Sequence, residues 1–275
     1  MARIVIDSLE DPRLQPYRAL NHRSSTARGS RFIAEGRLVV ERLLASRYEC
    51  ASVLVEQGRH QAWVESLEQS LENSRKPSLE VLEIRSADLR QLTGFDFHRG
   101  VLACGIRPPM PTIDQLPPAA DAGPLVVACG VTDAENLGST IRSAAAFGVH
   151  SLVITPDAAD PLSRRVLRVS MAAALRMTVY TADAPESDFR RLAAERGYRL
   201  VATTLAPGAK PLAEFHHDQR PLAILLGDEA QGLPPAILAT ATDQLTIPMR
   251  QGIDSLNVAV AAGITFYALL GESSG

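Results

Sequence analysis

Five polar side chains in the C-terminal half are placed to do chemistry together: Asn136, Arg142, Glu229, Ser255 and Asn257. Arg142 follows Asn136 by six positions in NLGSTIRSAAAFG and is trailed by Ala144, Ala145 and Ala146. A guanidinium on such an apolar surface is expected to be half-buried and to need a partner. Its permanent charge suits it to orient a polar group or stabilise a developing oxyanion; the alternative is a structural ion pair. Glu229, in LLGDEAQGLP, is the candidate partner, or else an acid capping the helix that follows Pro234. Ser255 and Asn257 stand at the mouth of an apolar helix running to Leu270. Ser255 reads as its N-cap, with a hydroxyl that can accept from first-turn N–H groups. Asn257 is either a satisfied capping amide or part of a ligand-facing helix N-terminus, where unpaired N–H groups and the dipole favour anionic or polar atoms.

The elements that must hold these residues alternate strand and helix through 125–275. Strands are expected at Leu125–Cys129, Ser151–Ile154, Met177–Tyr180, Arg199–Thr203, Leu222–Leu226 and Gln244–Ile247. Helices are expected at Asn136–Phe147, Leu162–Leu175, Phe189–Arg196, Pro234–Ala239 and from Ser255 onward. Repeated βα units imply a mostly parallel sheet covered by helices, and the continuous LAILL run suits a strand buried on both faces. Ligands of such sheets bind at the carboxyl ends of the strands, where Asn136, Glu229 and Ser255 all fall. The final helix, with almost no polar face, must be buried in a core or an interface. Residues 1–106 read as a smaller α/β unit. The stretch 107–124 carries six prolines and reads as the linker between the two.

Composition narrows the classes. The chain has 275 residues, 46% hydrophobic and 21% charged, which is globular and large enough for two domains. No uninterrupted apolar run long enough to span a bilayer is seen, nor an apolar leader, so a cytoplasmic protein is expected. Cys50, Cys104 and Cys129 are scattered beside apolar residues and read as buried free thiols; no metal-ligand spacing occurs, so no metal is expected. G-x-G-x-x-G and G-x-x-x-x-G-K are both missing, which argues against dinucleotide and P-loop chemistry. The formal charge of −3 argues against a general nucleic-acid binder, yet arginine is concentrated locally. Arg13 to Arg37 holds six arginines against the single acid Glu35, and Arg164, Arg165, Arg168 and Arg176 form a second group. Solvated faces or phosphate contacts both account for such clusters.

Three ordered motifs then carry a specific resemblance. N-L-G-x-x-x-R-x-x-x-x-F-G (Asn136 to Gly148), L-G-x-E-x-x-G-L (Leu226 to Leu233) and I-P-M-x-x-x-x-x-S-L-N-V (Ile247 to Val258) resemble the motifs of the SpoU (TrmH) RNA methyltransferases of the SPOUT superfamily. Small departures, Ser139 and Ala259, leave the pattern intact. The resemblance implies an α/β fold with a mostly parallel sheet and a C-terminal trefoil knot over 125–275. It implies a ribosomal-protein-like RNA substrate-binding domain over 1–106. It implies S-adenosylmethionine as cofactor, held at Thr203, Leu226, Gly227, Ile247, Met249 and Leu256. The reaction would be methylation of a ribose 2′-hydroxyl in RNA, with ribosomal RNA preferred over tRNA. Asn136 and Glu229 would hold Arg142 near the hydroxyl, while Ser255 and Asn257 would position the ribose-phosphate. RNA contacts would come from Arg23, Arg28, Arg31, Arg164 and Arg165. A homodimer through the last helix and the knot would complete the assembly. The competing reading is a non-catalytic RNA-binding or ribosome-assembly protein on the same fold.

Overall fold

The computed structural model describes residues 2–18, 20, 29–73, 79–94, 100–228, 231–250 and 255–271, with side chains only to 70 in the helix that ends at 73. The chain divides into two compact units, Met1–Pro109 with Leu162–Leu175, and Met110–Pro161 with Arg176–Gly275.

The first unit is a five-stranded mixed sheet. In chain order its elements are β1 (Ala2–Val5), β2 (Arg31–Glu35), α1 (Arg37–Leu44), β3 (Cys50–Glu56), α2 (Gln61–Asn73), β4 (Glu80–Ile84), α3 (Ser86–Thr93) and β5 (Val101–Ile106). The spatial order is β1-β4-β3-β5-β2. β4 runs parallel to both β1 and β3, while β5 lies antiparallel to β3 and β2. β1 is not expected from the sequence, because it has only four residues, three of them exposed and one half-buried, and carries little apolar periodicity. A 3-10 turn at Pro12–Tyr17 sinks Leu14 and Tyr17 into a core with Ile33, Leu54, Leu82 and Leu102. The Tyr17 hydroxyl donates to the Ser52 carbonyl at 3.0 Å, which satisfies a polar group that burial would otherwise penalise.

The second unit carries a seven-stranded sheet in the order β10-β12-β9-β11-β6-β7-β8, with every pairing parallel. The segment 107–124 makes a 3-10 turn (Ile113–Gln115) and one helical turn, α4 (Ala119–Ala122). It is no bare spacer: Ile113, Leu116 and Ala119 are buried in this unit's core. β6 (Leu125–Ala128), α5 (Ala134–Ala146) and β7 (Ser151–Ile154) follow. Then come α6 (Arg164–Val169) and a 3-10 turn, both grouped with the first unit, so the expected long helix over 162–175 is two short pieces. β8 (Thr178–Thr181), α7 (Pro185–Ala194), β9 (Arg199–Thr203), β10 (Lys210–Pro211), β11 (Leu222–Leu226), α8 (Pro235–Leu238), β12 (Asp243–Thr246) and α9 (Val258–Leu270) complete it.

Connectivity places the last helix. β11 sits between β9 and β6, buried at all five positions, as its unbroken apolar run requires. From β11 the chain runs out to β12, on the far side of β9, and returns to lay α9 against α5. α9 begins at Val258, not Ser255: Asn257 is its N-cap, and its side-chain oxygen accepts from Ala259 N at 2.9 Å and Val260 N at 3.3 Å. Val258, Ala262, Thr265, Phe266 and Leu269 are buried, while Val260, Ile264 and Tyr267 form an exposed stripe. Among the described residues no helix is long and apolar enough to cross a membrane, and no group of three metal-ligating side chains occurs. Cys104 and Cys129 are buried and Cys50 half-buried, all as free thiols. Burial pushes Cys50 and Cys129 up to about 12.

Candidate active site at the carboxyl edge of the parallel sheet

Three strands of the second unit end at one cavity of about 500 Å³, within the roughly 300–1,000 Å³ usual for small-molecule sites. Thr203 to Ala206 line it at and after the end of β9, Gly227, Asp228, Gln231, Gly232 and Leu233 after β11, and Thr246, Ile247 and Met249 at and after the end of β12. Ser255 and Leu256 close it together with Val258, Ala261 and Thr265 of α9. Five of the six residues expected to hold a cofactor therefore share one wall system: Thr203, Gly227, Ile247, Met249 and Leu256. The sixth, Leu226, does not. It is the last residue of β11 and fully buried, and strand alternation turns its side chain away when its neighbour faces the cavity.

Gly227 is where the walls come closest. A Cβ there would lie 2.4 Å from the Gly232 carbonyl carbon and 2.5 Å from Leu233 N, so only glycine admits the turn. That turn is closed by Gly232 N donating to the Asp228 carbonyl at 2.9 Å and Gln231 N donating to Asp228 Oδ1 at 3.0 Å. Thr203 is fixed by its hydroxyl, which donates to the Leu225 carbonyl at 3.1 Å. The cavity thus offers apolar side chains beside hydroxyls and backbone groups, with Asp228 the one charged side chain among its described lining residues, which suits a flat heteroaromatic ring read by its polar edge.

The polar candidates divide. Asn136 lies in the first turn of α5, whose N-cap Asp133 accepts from Glu135 N at 2.8 Å and Asn136 N at 2.9 Å. Asn257 Nδ2 donates to Asn136 Oδ1 at 2.8 Å, so two residues 121 positions apart meet at the cavity's rim. Ser255 faces the cavity but is not the cap it was expected to be. Arg142 corrects another expectation. Its side chain is exposed rather than half-buried, and among the described residues it makes no hydrogen bond or ion pair. Leu137, Ile141 and Ala144 form the buried face of α5, and position 142 lies about 100° further round than 141. Glu229, its expected partner, lies outside the described residues.

The RNA-contact candidates also separate. Arg31 and Arg165 are exposed. Arg164 is engaged within the first unit: its Nη1 donates to Glu35 at 3.1 Å and its Nη2 to the Leu20 carbonyl at 3.3 Å. Burial lowers its pKa, against the opposing pull of Glu35. Arg23 and Arg28 lie outside the described residues.

Sequence reading overlooked Asp133, Gln231, Thr246, Ala261 and Thr265. Thr246 was accessible from the strand-end rule. Val258, Ala261 and Thr265 follow helical spacing, but α9 is apolar all round and offers no contrast to pick out a ligand-facing stripe.

The sequence profile of the SpoU rRNA Methylase family matches residues 123–267, which contain the whole cavity. The chain belongs to that family. An uncharacterized tRNA/rRNA methyltransferase of Mycobacterium tuberculosis is 38% identical over 267 residues, 94% of this chain and 88% of that protein. A 23S rRNA (guanosine-2′-O-)-methyltransferase of Acinetobacter baylyi is 30% identical over 205 residues, 73% of this chain and 82% of that protein. Among solved structures, the AdoMet-bound rRNA methyltransferase of Sinorhizobium meliloti superposes with a TM-score of 0.81 at 26% identity, covering 97% of each chain. As a SpoU-family RNA methyltransferase, the chain brings its second and third motifs to the cavity wall. Its first motif joins them through the Asn136–Asn257 hydrogen bond.

Proposed function

We propose that this chain transfers a methyl group from S-adenosylmethionine to a ribose 2′-hydroxyl of structured RNA, ribosomal RNA in preference to tRNA. The observation that carries the reading is the convergence of the second and third motifs on one cavity at the carboxyl ends of β9, β11 and β12, with the first motif joined to the third by the Asn136–Asn257 hydrogen bond. S-adenosylmethionine, when bound, supplies an activated sulfonium methyl. The chain's own residues then have two tasks. Gly227, Ile247, Met249 and Leu256 enclose the cofactor and exclude water, with Thr203 fixed alongside by its bond to Leu225. Arg142 faces the RNA. A guanidinium stays protonated, so its part is orientation of the hydroxyl and stabilisation of the developing negative charge, not proton removal. Its exposure supports a role toward a polyanion that arrives from solution.

The Acinetobacter relative, whose name specifies 2′-O-methylation of 23S rRNA, supports both the ribose position and the RNA class. The exposed stripe Val260, Ile264 and Tyr267 supports a homodimer seam along α9, since three apolar side chains on one helical face favour burial against a second copy. The return of the chain from β12 to α9, past β9 and β11, supports the trefoil path expected from the motifs. The first unit, with exposed Arg31 and with Arg165 on α6, would hold the RNA. The test is ribose-methylation mapping of total RNA from cells with and without this protein. One site in ribosomal RNA losing its 2′-O-methyl group is expected. A lost tRNA mark redirects the substrate, and an unchanged methylation map contradicts the reading.

A further inference from the structure

The two motif asparagines are joined to each other, and the joint is continuous. Asp133 Oδ1 caps α5 by accepting from Glu135 N and Asn136 N. Asn136 Oδ1 accepts from Asn257 Nδ2 at 2.8 Å, and Asn257 Oδ1 caps α9 by accepting from Ala259 N and Val260 N. Capping fixes which way the Asn257 amide faces, because only its oxygen can accept from those two N–H groups. Its Nδ2 is thereby turned to Asn136, whose oxygen must meet it. Ser255 and Leu256, just before Asn257, line the cavity, as do Val258, Ala261 and Thr265 just after it. Asn136 itself is not part of the cavity wall, and Arg142 follows it on the same helix.

We infer that Asn136 and Asn257 are positioning residues forming a bridge that couples the cofactor-binding wall to the helix bearing Arg142. The inference rests on the S-adenosylmethionine reading of the cavity. Without the bridge, the start of α9 and the Ser255–Leu256 wall are no longer registered against α5. Cofactor affinity therefore depends on a residue outside the cavity. The bridge uses both ends of the Asn257 amide, whose oxygen caps α9 while its Nδ2 donates to Asn136.

The experiment is a double-mutant cycle read by calorimetric titration with S-adenosylmethionine, beside thermal unfolding of each variant. Asn136→Ala keeps both caps and removes the bridge, so the Kd should rise roughly threefold to tenfold, the worth of one net hydrogen bond. Asn136→Asp still accepts from Asn257 and should bind within about twofold of wild type, a rescue that a merely space-filling role would not give. Asn257→Asp keeps the cap and lets Asn136 rotate its amide to donate. Combined as Asn136→Asp with Asn257→Asp, two carboxylates face each other, and the Kd should exceed the product of the single effects by about fivefold or more. Wild-type affinity in Asn136→Ala, or Asp/Asp effects that simply multiply, would overturn the bridge while leaving the cofactor reading standing. A wild-type chain that binds no S-adenosylmethionine overturns the cofactor reading, and the bridge's role falls with it.

Discussion

Arg142 on α5 and Arg164 on α6 stand out equally in the sequence, and the fold treats them oppositely. Arg142 is exposed and makes no hydrogen bond or ion pair among the described residues. Arg164 is half-buried and pairs with Glu35, whose side chain is only 7% exposed, while Arg168 lies 4.0 Å from the same carboxylate. The pair in the first unit holds structure together: a buried acid neutralised from α6 ties that helix to β2. Among the described residues, the guanidinium of Arg142 in the second unit ties no elements together. An exposed cation adds little to stability. A cluster of arginines in a sequence does not say which serve the fold; the acids that reach them decide.

The sharpest break of this contrast is Arg142→Ala. Methylation should fall by about a hundredfold or more, as when an oxyanion-stabilising donor is removed. Cofactor affinity should stay within about twofold and the melting temperature within about 1 °C, since surface substitutions are close to neutral. Steady-state methylation, calorimetry and thermal unfolding measure the three. A large loss of stability would mean that Arg142 serves the fold as much as Arg164 does. Glu35→Ala should do the reverse. It strands Arg164 and should cost about 2–4 kcal/mol of unfolding free energy, less than a fully buried pair because the arginine is partly exposed. Urea unfolding is the measurement, with the cofactor Kd unchanged because the cavity lies wholly in the second unit.

What could be read beforehand follows from where physical signals are strong. The parallel sheet was legible because LVVA, SLVI and LAILL are short apolar runs alternating with helical segments, the pattern of strands buried on both faces. The cavity residues were legible through a resemblance whose motif positions fall at strand ends, and Gly227 has its own steric reason. Exposure of Arg142 was misjudged because the alanines after it look like an apolar bed. Counting 100° per residue from Leu137, Ile141 and Ala144 would have placed it off the buried face. The two-residue alternation of a strand sends the Leu226 side chain inward while Gly227 lines the cavity. The cap on α9 was misassigned because Ser255 and Asn257 have equal capping propensity; the partner that favours Asn257, Asn136, comes from another motif. Glu35 was counted as the lone acid in a basic run, with no local hint that α6 would supply its cations.

A gentler change asks whether charge alone defines Arg142. Arg142→Lys keeps the cation and loses the planar fork of donors. A drop of about tenfold in kcat/KM with unchanged cofactor binding is expected, intermediate between wild type and alanine, because a point charge stabilises an oxyanion but does not fix its orientation. Single-turnover methylation separates the chemical step from RNA binding. Full activity in the lysine variant would reduce the role of Arg142 to charge alone.

The smallest expected effect tests the contrast within α6 itself. Arg164 and Arg165 are neighbours: Arg164 is half-buried against Glu35, whereas Arg165 is exposed, though it too has an interaction within the fold. If RNA is held by exposed cations, Arg165→Ala should weaken RNA binding only a few-fold and make the slope of log affinity against log salt shallower by about 0.7–0.9, one phosphate contact's worth. Arg31→Ala should act alike. Arg164→Ala should leave the salt slope as it is and lower stability instead, because it strands Glu35 rather than a phosphate. Filter binding of the target RNA across a salt series, paired with unfolding curves, reads both quantities on the same three variants. Should Arg164→Ala flatten the salt slope as much as Arg165→Ala does, the division between structural and substrate-facing arginines fails where it is most finely drawn, between adjacent residues of one helix.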